Sequence, residues 1–91
     1  MMMYLNKPIL RKEVAQILLG LLSDEEITTE LKARMASLYK DTSDLNQEEL
    51  AAFAYVEAAG IIYGNNFEMN PEALLTRTEV LIIRKRVMED I

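Results

Sequence analysis

Apolar residues recur along this chain at helical spacing in four blocks, each opened by a residue that suits a helix start. In the first, Leu10, Val14, Ile17, Leu18 and Leu21 fall at i, i+4, i+7, i+8 and i+11, with Arg11, Lys12, Glu13 and Gln16 opposite them. One apolar stripe over residues 7–22 is therefore expected to face a core. Asn6 reads as the cap, and Pro8 is tolerated in the first turn because the amide it lacks has no helical acceptor. Gly20 reads as a close crossing or a fraying end, since glycine costs about 1 kcal/mol relative to alanine inside a helix.

Ser23 and Glu26 have the spacing of a capping box, and Leu22 with Ile27 that of a hydrophobic staple, so a second helix is predicted over 24–40. Its stripe is Ile27, Leu31, Met35 and Leu38, Lys40 suits the negative end of the helix dipole, and a polar loop from Asp41 to Asp44 follows. Asn46 with Glu49, and Leu45 with Leu50, repeat the box and staple before a third helix over 47–63. From Leu50 to Tyr63 nearly every residue is apolar and five are alanines (Ala51, Ala52, Ala54, Ala58, Ala59), which predicts a slender, buried central helix. Gly64 suits the left-handed position that ends such a helix. A competing reading stops the helix at Gly60 and pairs Ile61–Tyr63 with Phe67–Met69 as a hairpin across Gly64–Asn66.

Asn70 and Pro71 read as a cap and first helical residue, with Met69 and Leu74 as a third staple. No Gly or Pro interrupts Glu72 to Ile91, so a fourth helix is predicted over 71–90. Short connections favour antiparallel neighbours. The expected architecture is a single all-α domain over 1–91, an antiparallel up-and-down bundle of about four helices.

Composition narrows the functions open to such a bundle. With 91 residues, 51% of them hydrophobic, the chain supports one core, and a domain this small leaves room for stabilisation by a second subunit. It has no cysteine and no histidine, which removes disulfides, thiolate or imidazole metal ligands, the commonest general base and the strongest nucleophile. The glycines at 20, 60 and 64 fit no phosphate loop, and the run from Asp41 lacks the oxygen ligand and glycine of a calcium loop. No catalytic residue, cofactor or metal is expected. Glu57, the one charged residue in the apolar third block, reads either as a buried proton carrier or as an edge carboxylate paired with an arginine. The start carries no basic region before an apolar run, and no stretch reaches the roughly 20 apolar residues of a bilayer span, so a cytoplasmic protein without membrane insertion is expected.

Net charge is −5, which disfavours direct nucleic-acid contact, and the charge is uneven. Asp41 to Glu72 holds seven acids and no base, whereas Arg77, Arg84, Lys85 and Arg86 gather near the end. The fourth block is also apolar on more than one face. Val80, Ile83 and Val87 form a core-facing set, while Leu81, Ile82 and Met88 project elsewhere, flanked by Arg84 and Arg86. Leu81, Ile82, Arg84, Arg86 and Met88 are therefore the candidate partner-binding residues, for another protein or for a second copy in a homodimer. Met1 to Tyr4 could add flexible apolar contacts.

The run from Leu45 through Tyr63, then Asn65, Asn66, Phe67 and the block after Asn70, resembles in layout the small bacteriocin immunity proteins of Gram-positive bacteria. That resemblance implies a cytoplasmic antiparallel four-helix bundle that protects a producing cell from its own bacteriocin. The family carries recognition in a tail beyond the last helix, whereas the helical pattern here continues to Ile91, so no site residue is transferred. The leading expectation is a non-enzymatic protein-binding module, of immunity or inhibitory type. The alternative is a small transcriptional or nucleoid-associated regulator, phage- or plasmid-borne, that uses the basic final helix.

Overall fold

The structure, a computed structural model, describes residues 9–23 and 25–90, with the backbone alone at Asp90. Its elements are α1 (Arg11–Leu22), α2 (Thr29–Leu38), a single 3-10 turn (Lys40–Thr42), α3 (Gln47–Ala58) and α4 (Arg77–Asp90). No strand occurs among the described residues, only isolated bridges between Leu10 and Leu74 and between Asn65 and Glu68. The chain is all-α, and each helix is shorter than its apolar pattern suggests.

The centre lies where expected. Leu50, Ala52, Phe53, Ala54 and Val56 of α3 are buried, and α3 packs against both α1 and α2. Ala15, Met35, Ile61, Ile62, Met69 and Ile83 complete the core. Asn46 opens α3 as the sequence implies: its side chain accepts from the Glu49 amide at 2.8 Å, and Glu49 accepts from the Asn46 amide at 3.0 Å.

The inward face of α1 is rotated from the predicted stripe. Ile17 and Leu21 are 51% and 72% exposed, whereas Arg11 and Ala15 are buried and Leu18, Leu19 and Leu22 half-buried. Two stripes of the same period fit this helix. The winner runs through Arg11, whose guanidinium is satisfied by internal acceptors, a solution invisible to a polarity pattern. At the start of α1 the Glu13 carboxylate accepts from the Leu10 amide at 2.7 Å, while the first-turn amides of Arg11 and Lys12 donate to the carbonyls of Ala73 and Pro71. The proposed Asn6 cap, the first-turn Pro8 and the Met1–Tyr4 contacts lie outside the described residues. Gly20 marks no close crossing, since nothing lies within 4 Å of where its Cβ would stand.

The start of α2 moves from residue 24 to Thr29. Thr28 is the cap, its hydroxyl accepting from the Leu31 amide at 3.1 Å. Ser23 only bonds the backbone of Glu25, and Asp24 lies outside the described residues. A helix from residue 24 would place the β-branched Thr28–Thr29 pair in its interior; starting at Thr29 converts Thr28 into a cap instead. Leu38, expected in the apolar stripe, is exposed, and Lys40 belongs to the 3-10 turn rather than to α2.

The end of α3 follows the competing reading. Gly60 takes φ +76°, the Ile61 amide reaches back to the Val56 carbonyl, and the helix stops at Ala58. Gly64 is required for a different reason: a Cβ there would overlap the Tyr39 ring and stand 2.7 Å from the Glu68 carbonyl oxygen. The hairpin of that reading is not formed: Ile61–Tyr63 and Phe67–Met69 do not pair, and the bridge here joins Asn65 and Glu68, which exchange backbone bonds across Asn66 and Phe67, both with positive φ. This is the geometry of a type I′ turn.

The start of α4 shifts from residue 71 to Arg77. Asn70 has φ +53°, which a helix cap cannot adopt, and its amide and that of Met69 donate to the two carboxylate oxygens of Asp41 at 2.8 and 2.9 Å. Asn70 and Pro71 therefore form a turn. The true cap is Thr76, reciprocally bonded with Glu79, and Leu74 is freed to pair with Leu10.

Candidate functional site

Arg11 organises the surroundings of α4. Its Nε donates to the Met69 carbonyl at 2.8 Å, Nη2 to the Tyr63 carbonyl at 3.1 Å, and Nη1 to Glu79 Oε2 at 3.1 Å. The other Glu79 oxygen accepts from the Thr76 amide, so one carboxylate both starts α4 and anchors it to α1. Arg86 makes the second attachment, donating to the Ile61 carbonyl at 3.1 Å with its guanidinium 5.1 Å from the Tyr63 ring centroid. Arg11, Glu79, Arg86, Ile61 and Tyr63, with Ile62, Ile82 and Ile83, line a cleft of about 230 Å³.

The five candidate residues of α4 thus fall on two sides. Ile82, which is exposed, and Arg86 line the cleft shared with Arg11 and Tyr63, and Arg86 is occupied within the chain. Leu81 and Met88, 60% and 68% exposed, stand with exposed Arg84 and Lys85 on the opposite side, spaced i, i+3, i+4 and i+7. The core-facing set is Ile83, which is buried, with Val80 and Val87 half-buried. Lys85 belongs to the outer stripe on the same footing as Arg84.

Glu57 is paired rather than isolated. Arg34 Nη1 lies 2.6 Å from its Oε1, and the Tyr39 hydroxyl donates to Oε2 at 3.4 Å. The hydrogen bond from Arg34 to Glu57 holds the guanidinium above its usual range. Lys12 is likewise raised, first by its hydrogen bond to Glu72 and then by the charges of Glu72 and Glu49. These pairs tie separate elements together.

A second cleft, about 590 Å³, opens beside the C-terminal half of α1. Leu19, Ile27 and Ala51 supply apolar surface, Glu25, Glu26 and Glu48 are the acids around it, and Lys32 is its one base. The sequence reading missed this groove because it placed Glu25 and Glu26 in a helical first turn. It missed Arg11 and Asp41 because a polarity pattern cannot register a charge satisfied by backbone groups from far along the chain. The start of α4 was legible in the Thr76-to-Glu79 spacing, which Asn70 and Pro71 overshadowed.

No family model matches the chain, and no curated protein or solved structure matches it. Among the described residues, no group of three or more acids could hold a metal ion, and no helix is long and apolar enough to cross a membrane.

Proposed function

We propose that this chain is a non-enzymatic, cytoplasmic protein-binding module that acts by occupying a partner's surface, as an immunity-type or inhibitory factor would. The antiparallel up-and-down order of its helices belongs to the same reading. The observation that carries it is the outer face of α4, where Leu81 and Met88 are exposed on either side of Arg84 and Lys85. Apolar anchors beside arginine are the composition of interface centres. The test is affinity capture from the native host with quantitative mass spectrometry, comparing wild type with Leu81→Glu and with Ile17→Glu as a control on another face. A partner lost with Leu81→Glu and retained with Ile17→Glu supports the reading; identical captured sets for all three overturn it.

A second reading, a regulator that touches nucleic acid, draws on exposed Arg77, Arg84 and Lys85 along the same helix. Duplex DNA binding that weakens steeply with salt and is lost in Arg84→Glu favours it.

A further inference from the structure

Among the described residues, several charges that make no ion pair gather in two places, three acids at the second cleft and two cations on the outer side of α4. The described residues make five ion pairs, and none includes Glu25, Glu26 or Glu48 at the second cleft, nor Arg84 or Lys85 on α4. The lining of that cleft holds three acids against one base, Lys32, with apolar surface from Leu19, Ile27 and Ala51. The α4 stripe has the complementary make-up, two cations between Leu81 and Met88. A chain cannot join its own two surfaces. The inner side of α4 is fastened at the first residue of α1 through Arg11 and Glu79, which turns the basic stripe outward, while the acidic cleft lies along Gln16 to Ser23, toward the other end of α1.

We propose that the acidic cleft receives the α4 stripe of a second copy of this chain. This rests on the reading of α4 as a binding face and names the partner. Leu81 and Met88 meet the apolar surface of the cleft, and Arg84 and Lys85 meet Glu25, Glu26 and Glu48. The two surfaces are different patches, so the contact is heterologous and copies join head to tail. Charges at the rim govern encounter rate and salt dependence, while the apolar pair supplies the desolvated centre.

Sedimentation velocity over a range of protein and salt concentrations, on wild type and two charge-reversed proteins, tests this. Wild type is expected to self-associate, more weakly as salt rises. Arg84→Glu/Lys85→Glu and Glu25→Lys/Glu26→Lys each weaken association by about tenfold or more, like charges now facing each other. An equimolar mixture of the two recovers association, because each reversed surface meets an unlike one; recovery also demonstrates that both variants are folded. A wild-type protein that stays monomeric throughout, or a mixture that gains nothing over its components, overturns the proposal. If that protein still captures another partner through Leu81, the binding role of α4 stands and only the second copy is excluded.

Discussion

At the scale of the residue, Arg11 decides more than its position in the sequence suggests. It bonds three acceptors from two segments distant in the chain, and losing it leaves Glu79 without its cation and two carbonyls without donors. Breaking one side of a buried charged network costs about 3 kcal/mol. Arg11→Ala should lower stability by about that amount in urea titrations, and Arg11→Lys should recover little, since an ammonium cannot serve three acceptors fixed around a planar fork. Lys12 contributes a pH-dependent part of the stability. Its folded-state pKa is raised above 10.5, so the stability it contributes is fully present below that pH and is lost as pH climbs through the raised value. Thermal melts from pH 9 to 12 should show the loss, and a Lys12→Met protein should show a shallower decline.

At the scale of the element, the cap grammar was legible but its placement was not. The Asn46 box stands where the sequence put it, whereas Ser23 and Asn70 compete with Thr28 and Thr76 a few residues on, and local spacing alone does not rank them. Thr28→Ala should cost about 1 kcal/mol, the usual loss for a cap, and Ser23→Ala much less. Denaturant midpoints that reversed this order would return the start of α2 to residue 24. The turn after α3 carries its own cost. Phe67 holds φ +63° while its side chain is exposed, so it suffers left-handed strain with little burial in return. Phe67→Gly creates an Asn-Gly pair suited to a type I′ turn and should raise stability by about 1 kcal/mol; a fall in melting temperature would mean that the ring is held by contacts worth more than the strain.

At the scale of the whole molecule, α4 is joined to the rest by Ile83 and by the Arg11–Glu79 and Arg86–Ile61 bonds, with its outer stripe uncovered. Leu81→Glu should therefore change the melting temperature little, within about 0.5 kcal/mol of wild-type stability, as surface substitutions do. Ile83→Glu should unfold the protein or cost several kcal/mol, because it drives a charge into the core. Equal destabilisation by the two would make Leu81 a core residue and remove the basis of the binding face. In α4 the pattern puts Val80, Ile83 and Val87 on the inward face, as observed, but groups Ile82 and Arg86 with Leu81, from which the fold separates them. It failed in α1, where Ile17 and Leu21 matched the period yet ended outside.

The sequence by itself determined that this is an all-α chain with a buried alanine-rich centre, because periodicity and volume are local properties that every folded arrangement of α3 must respect. It also determined that histidine and cysteine chemistry is absent, a matter of composition. Only the tertiary structure decided which face of α1 turns inward, where α2 and α4 begin, and which charges are left without partners. Those outcomes depend on acceptors supplied from far along the chain: Met69 and Tyr63 carbonyls for Arg11, Pro71 and Ala73 carbonyls for the first turn of α1, and the Asp41 carboxylate for Asn70. A buried hydrogen bond strengthens in the low dielectric it helps create, so one long-range partner can outweigh a favourable local pattern.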